Sequence, residues 1–225
     1  MLTIAIGDIH GMFHELETLL EHIDCFIETK WRNDRFKLIF LGDYIDRGPH
    51  SKQVIKKLRS LESENYICLK GNHEEMMIKS VSGETEKMRF LVSGGEATIQ
   101  SYGGFTQEFY SDLAWMTTLS TSYEDDKRFF VHAGIDPDAP LADQSDEAKL
   151  WIRRKFIVDD RRFEKYVVHG HTPTTKNPPF TGRADIRLNR CNLDSGACYG
   201  GALTAAFFND IDEKPFHLLY QTELT

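Results

Sequence analysis

No stretch of this 225-residue chain approaches the ~18 apolar residues of a membrane-spanning helix. The opening segment, MLTIAIGDIHG, has no basic start, and its apolar run stops at Gly7-Asp8, so both parts of a secretory signal are missing. Cysteine is scarce. Cys25, Cys68, Cys191 and Cys198 form no CxxC pair, and an acidic chain of this size needs no disulfide staples. Reduced thiols in a cytoplasmic protein are the expectation. Positive charge is also in deficit, with 27 Lys and Arg against 35 Asp and Glu, a net charge of −8. That balance argues against a general nucleic-acid binder or a membrane-surface binder, whose footprint is a basic patch. The short basic runs Arg153-Arg154-Lys155 and Arg161-Arg162 are interleaved with acids and read as solvated faces. Repeats and low-complexity tracts are absent too. What is present is 40% hydrophobic residues, 15 of the chain's residues being Phe, enough for a sizeable core in one domain spanning 1–225.

Periodicity organises that apolar content. Leu2, Ile4 and Ile6 alternate as in a strand, and Phe13, Leu16, Leu19, Leu20 and Ile23 follow at helical spacing. The order recurs twice. Leu38–Leu41 leads through a polar loop to a helix carrying Val54, Ile55, Leu58 and Leu61. Tyr66–Leu69 leads to Glu74–Ile78. Further strands are expected at Arg128–Val131, Tyr166–Val168, Cys191–Leu193, Ala202–Phe208 and Phe216–Gln221. Three strand–helix units followed by mostly strand-forming segments predict an α/β architecture with mixed sheets. Residues 75–128 keep this rhythm poorly and hold the pairs Gly94-Gly95 and Gly103-Gly104. They read as a helical insertion or cap, not a separate domain.

The informative pattern is what stands at the strand ends. The first ends in Gly7-Asp8-Ile9-His10-Gly11, the second in Gly42-Asp43-Tyr44-Ile45-Asp46-Arg47-Gly48, and the third in Gly71-Asn72-His73-Glu74. Later strands end in His132-Ala133-Gly134 and His169-Gly170-His171-Thr172. One Gly-Asp is an ordinary turn, and one His-Gly-His is little more. Five strands ending at a glycine beside Asp, Asn or His point to a shared site, because ligands in α/β sheets collect beyond the carboxyl ends of the strands. Oxygen and imidazole donors without thiolate suit Mn²⁺, Fe or Zn²⁺. Two such ions ~3.5–4 Å apart can share a carboxylate and clamp a phosphoryl group in displacement.

GDIHG, GDYIDRG, GNHE, HAG and HGHT together resemble the phosphoprotein phosphatase (PPP) family within the calcineurin-like metallophosphoesterases. The chain is similar to that family's compact bacterial and phage members. The motifs run from residue 7 to residue 172, and NLDSGACYGG at 192–201 resembles the family's closing strand. The resemblance implies a four-layer α/β/β/α fold with two central mixed sheets flanked by helices. It implies that Asp8 and His10 bind a first metal, that Asp43 bridges two ions, and that Asn72, His132 and His171 bind the second. A hydroxide held between the ions would attack phosphorus in line. The general acid of the family falls on His73, oriented by Asp46, and two phosphate-gripping arginines fall on Arg47 and Arg153. Arg154, beside Arg153, is the competing choice for the second. Mn²⁺ is the expected ion, with Fe or Zn²⁺ as alternatives.

These assignments agree with the residues' own chemistry. Two divalent ions and two arginines outweigh Asp8 and Asp43, giving an acidic protein a locally positive pocket for a dianion, and a guanidinium fork matches phosphate oxygens bidentately. His73 follows a proposed ligand directly, so it lies near the ions without needing to bind them. A positioned imidazolium that protonates a leaving alkoxide is worth ~10²–10⁴-fold in rate. The bland alternative is a histidine that only hydrogen-bonds. Pro173 stands where many calcineurin-like enzymes have another histidine, which favours the PPP branch over phosphodiesterase-like branches. His169 precedes the match and is not read as a ligand; His14, His22, His50 and His217 read as surface or packed histidines. Asp46-Arg47 sets the chain apart from dinucleoside tetraphosphate hydrolases, which commonly lack that aspartate. The expected activity is therefore a phosphoserine/phosphothreonine protein phosphatase. The alternatives are a hydrolase of small phosphorylated molecules such as diadenosine polyphosphates or nucleotides, and a phosphate-binding module without catalysis.

Overall fold

The computed structural model describes residues 1–31, 35–61 and 63–222. Its strands in chain order are β1 (Leu2–Ile6), β2 (Phe36–Phe40), β3 (Tyr66–Cys68), β4 (Ser122–Glu124), β5 (Arg128–Val131), β6 (Tyr166–His169), β7 (Asp185–Ile186), β8 (Arg190–Asn192), β9 (Thr204–Phe208) and β10 (His217–Tyr220). The helices are α1 (Phe13–Phe26), α2 (Ser51–Ser60), α3 (Asn72–Lys79), α4 (Glu84–Phe90), α5 (Glu96–Tyr102), α6 (Gln107–Thr117), α7 (Asp146–Trp151) and α8 (Arg154–Ile157). One sheet has the order β10-β9-β1-β2-β3, the other β4-β5-β6-β8-β7. Three neighbouring strands in each run parallel (β1, β2 and β3; β5, β6 and β8) and the remaining pairings are antiparallel, so both sheets are mixed.

Strand alternation stacks the layers, because successive side chains leave a strand on opposite faces. Ile4, Ile6, Leu38, Phe40, Ala205 and Phe207 join one core with Leu16, Leu19 and Ile23 of α1 and Val54, Ile55 and Leu58 of α2. Their neighbours Ala5, Ile39, Ala206 and Phe208 point the other way and meet Phe130, Val168 and Cys191 of the second sheet. Phe129, Val131 and Val167 face outward from that sheet onto Ile135 and Phe156. The result is the four-layer α/β/β/α arrangement expected from the sequence. The edge strands β4 and β7 were outside that expectation; at three and two residues, neither is long enough to show an alternating pattern.

The helical segment within 75–128 comprises the rest of α3 and α4 to α6, followed by β4. Its Phe90, Tyr102, Phe109 and Met116 are buried in the same core as β1 and α1. Gly94, at φ 113°, breaks the helical path between α4 and α5. A Cβ there would come within 3.0 Å of the Arg47 backbone nitrogen, so the turn lies directly against the loop after β2. All four cysteines are free thiols. Among the described residues no helix is long and apolar enough to cross a membrane.

Candidate metal centre

The parallel strands of both sheets deliver their C-terminal ends to one place. Asp8 and His10 follow β1, Asp43, Asp46 and Arg47 follow β2, and Asn72 and His73 open α3 after β3. His132 follows β5 and His171 follows β6. Turning the backbone sharply there takes conformations that side chains normally avoid. His10, Asp43, Asp46, Arg47 and His171 all have φ between 48° and 73°. Each such residue costs on the order of 1–3 kcal/mol, a strain that persists where the surroundings hold it and that clusters at functional sites.

Asp43 is the centre of the arrangement. Its Oδ2 lies 3.4 Å from His10 Nε2, and its Oδ1 lies 3.3 Å from His132 Nε2. One carboxylate thus addresses two groups of donors. Asp43, His10 and His73 present atoms all within 4.8 Å of one another, and so do Asp43, His132 and His171. Asn72 adds its Oδ1 at 2.8 Å from His132 Nε2. The imidazoles are pre-set for ligation. Nδ1 of His10 donates to the Ile45 carbonyl at 2.8 Å, and Nδ1 of His132 donates to the Leu41 carbonyl at 3.1 Å. Each ring therefore turns the Nε2 lone pair toward Asp43, the tautomer a cation requires.

Asp8 is placed differently. Neither three-residue group includes it, and both of its carboxylate oxygens accept from the His171 backbone N–H at 3.1 Å. His73 instead completes the group on His10 and Asp43, so the expected ligand and the expected acid occupy neighbouring positions around one carboxylate.

The electrostatics fit cations. Burial raises the Asp8 carboxyl well above its usual range, and Asp194 and Asp43 raise it further. Burial also pushes Asp194 up to about 7, with Asp43 adding to the effect. Three buried carboxylates thus repel one another in a water-poor pocket, an arrangement that divalent ions would relieve. Asp43 itself runs the other way. Burial would raise it, but His132, His73, His10 and His171 hold it below the usual carboxylate range. Burial lowers His10, His132 and His171, keeping the imidazoles neutral and able to coordinate. The residues present therefore suit a pair of divalent cations.

His73 behaves unlike the other histidines. Burial opposes its charge, yet Asp43 and then Asp46 raise its pKa. Its Nδ1 donates to Asp46 Oδ2 at 2.6 Å, which turns Nε2 toward the centre, 3.9 Å from Asp43 Oδ2. Asp46 is locked in turn by the Thr98 hydroxyl, which donates to Oδ1 at 2.6 Å and accepts from the Asp46 N–H at 2.9 Å. The half-buried Arg47 reaches over both rings. Its guanidinium meets His10 Nε2 and lies 2.8 Å from His73 Nε2, and its carbon stands 5.5 Å from the Tyr199 ring centre.

Arg153 precedes α8 and is exposed, and its charge contributes to the lowering of His132 and His171. Nearby, the Trp151 indole at the end of α7 donates to Glu75 at 2.6 Å, and the cation over its ring is Arg89, at 4.6 Å. His169 is fully buried against Phe156, and burial, with Arg190, brings its imidazole down to about 3. His14, His22, His50 and His217 stand outside both donor groups.

Two acidic residues of the centre escaped the sequence reading. Glu74 accepts the backbone N–H of Asp43 at 2.9 Å, of Tyr44 at 2.8 Å and of Gly71 at 2.8 Å, bracing the loop that carries Asp43. Burial pushes it up to about 7, with Asp43 adding to the effect. Asp194 lies beside Asp8, as its effect on that carboxyl requires. Both stand inside motifs quoted above, GNHE and NLDSG, and that position was the available signal.

A family model described as calcineurin-like phosphoesterase matches residues 1–200. Among curated proteins, the chain is 27% identical to the asymmetrical bis(5'-nucleosyl)-tetraphosphatase PrpE of Anoxybacillus flavithermus, covering 94% of this chain and 92% of that one. It is 25% identical to the protein of the same name from Halalkalibacterium halodurans, covering 92% and 90%. Among solved structures, it resembles a protein serine/threonine phosphatase of Saccharomyces cerevisiae at a TM-score of 0.57 and 15% identity, covering 97% of this chain and 78% of that one.

Proposed function

This chain belongs to the calcineurin-like phosphoesterase family, and from that premise we propose that it is a metal-dependent hydrolase of small phosphorylated molecules, with dinucleoside polyphosphates and related nucleotides as its substrates. The placement of Asp43 carries the chemical half of this reading, because one buried carboxylate turns its two oxygens to two separate sets of donors. The substrate half rests on the curated tetraphosphatases, which match along nearly their whole length.

In this reading Asp8, His10 and Asp43 would hold one cation, and Asp43, Asn72, His132 and His171 the other, with Mn²⁺ the proposed ion. When bound, such a pair neutralises charge on phosphoryl oxygens and makes water easier to ionise. The chain's own residues do the rest. Arg47 and Arg153 grip the phosphate, a charge-assisted interaction whose fork geometry also orients it. His73, held by Asp46 and raised by the carboxylates around it, delivers a proton from Nε2 to the departing oxygen.

That last feature favours a second reading. A nucleoside polyphosphate departs as a stabilised anion, whereas a serine or threonine alkoxide must be protonated. The His73–Asp46 pair therefore suits a phosphoserine/phosphothreonine protein phosphatase as well. A substrate panel decides between them: diadenosine tetraphosphate, mononucleotides, phosphoserine, phosphothreonine and phosphotyrosine peptides, and p-nitrophenyl phosphate, each with Mn²⁺ and with chelator. We expect kcat/KM to be at least about tenfold higher for diadenosine tetraphosphate than for any peptide, and all turnover to vanish with chelator. The opposite ranking installs the protein phosphatase. Phosphate binding without turnover of any substrate returns the chain to a binding module.

A further inference from the structure

A cavity of about 590 Å³ opens beside the metal centre, within the size range of sites that bind small molecules. It shares Arg153 with that centre, and Thr172, which also lines it, directly follows His171. Its walls combine two kinds of surface. Ile157, Val158 and Pro178 are apolar, Val158 being 66% exposed, and Asp160 lines the cavity beside them. Arg153 and Arg154 supply charge at the rim, and among the described residues neither has an ion-pair or side-chain hydrogen-bond partner. The other cations of the wall are committed. Arg187 is held by Asp185 at 2.8 Å, and Arg190 is buried beneath, donating to Asn189 at 3.0 Å and to the Ile157 carbonyl.

Thr172 gives an independent sign that the cavity is built for a ligand. The residue is 6% exposed, and its hydroxyl is a buried polar atom without a hydrogen-bond partner among the described residues. A buried hydroxyl left unpaired costs free energy, so such groups are rare unless something outside the chain completes them. Two guanidiniums without partners among the described residues, an apolar wall and an unsatisfied hydroxyl next to His171 describe an occupant with anionic, apolar and polar parts.

We infer that this cavity binds the nucleoside end of the substrate. Arg153 and Arg154 hold the phosphates that join it to the metal centre, Thr172, next to His171, bonds a polar group at that same end, and Ile157, Val158 and Pro178 pack against the base. This rests on the small-molecule reading above and names the part of the molecule that such a site would recognise. It also gives Arg154 a role distinct from that of Arg153: the next phosphate along the chain.

Competitive inhibition of p-nitrophenyl phosphate hydrolysis tests the assignment with inorganic phosphate, tripolyphosphate and ATP as probes. In the wild type we expect ATP to inhibit on the order of tenfold more tightly than tripolyphosphate, the worth of one buried base. Val158→Asp should bring that ratio close to one. Arg154→Ala should weaken ATP and tripolyphosphate together by about three- to tenfold, leaving the inhibition constant of inorganic phosphate unmoved. Both side chains are exposed, so the folded protein tolerates the changes, and the phosphate constant checks the integrity of the centre. A wild-type ratio near one, or a ratio that survives Val158→Asp, overturns the assignment. If diadenosine tetraphosphate is nevertheless turned over in either case, the proposed function stands and only the cavity assignment falls. If it is not turned over while the ATP preference is present and lost in Val158→Asp, the cavity is a nucleotide site and the substrate proposal is what fails.

Discussion

Glu74→Gln removes one oxygen from the brace beneath Asp43 and leaves the side chain's size almost unchanged. In the native protein Oε2 accepts from Asp43 N and Gly71 N, and Oε1 accepts from Tyr44 N, all at 2.8–2.9 Å. A glutamine amide satisfies two of these donors if its oxygen takes the Oε2 position. Its NH₂ then faces the Tyr44 N–H, donor against donor, in a place with no exposure to water. Leaving one buried donor unpaired costs about 1–3 kcal/mol, and the opposite amide orientation leaves two. We therefore expect a loss of about 2–3 kcal/mol, which in a domain of this size lowers Tm by about 4–12 °C. The site should suffer with the fold, because the loop being braced carries the shared carboxylate. Residues that orient metal ligands typically account for 10- to 100-fold in metal affinity. At fixed Mn²⁺ such a loss removes about 1.4–2.7 kcal/mol of the stabilisation each bound ion supplies. Thermal unfolding by circular dichroism, with chelator and across a Mn²⁺ titration, separates the two effects. The variant should melt lower without metal and gain less from it. Wild-type melting in chelator with an unchanged Mn²⁺ dependence would refute the reasoning, and would mean that the backbone around Asp43 holds itself.

Asp43→Asn should lower metal content by mass spectrometry and turnover together, because the charge shared by two donor sets is gone; two retained ions at normal rate would contradict the bridging role. His73→Asn should reduce kcat strongly for substrates with a poor leaving group and little for p-nitrophenyl phosphate, a contrast that an architectural histidine would not produce. Thr98→Val cuts the hydroxyl that both donates to and accepts from Asp46, at a cost of about 1–3 kcal/mol. It should reproduce the substrate selectivity of His73→Asn in milder form, and a uniform loss across substrates would assign Thr98 to stability alone. Gly71→Ala places a Cβ 2.2 Å from Asp43 Oδ1 and 2.3 Å from Asp43 N, so bound metal and activity should both be lost; a fully active variant would show that the loop has room the structure denies it.

Much of this was legible along the chain. Five strands of opposite-facing apolar residues each end at glycine beside a donor residue, and local chemistry is enough to read that. Alternation sorted Ile4 from Ala5 and Phe40 from Ile39, and those parities became the layers of the fold. Positions where backbone groups meet were harder. Glu74 looks like one more acid at the start of a helix, and two of its three N–H donors, Asp43 and Tyr44, lie 31 and 30 residues before it. Trp151 meets Arg89 and Glu75, 62 and 76 residues away in the chain, contacts that no local pattern announces.

By itself the sequence determined which donors this protein carries and that strand ends would gather them, because residue type and period are local properties. Only the tertiary structure decided how they are shared. It turned the two oxygens of Asp43 toward different partners, brought His73 beside His10 and Asp43 and linked Asp46 to Thr98 across 52 residues. It also opened a cavity beside Arg153 from residues of three separate stretches, 153–160, 172–178 and 185–190. Those outcomes depend on distances between parts of the chain far apart in sequence, which periodicity and motif spacing do not encode.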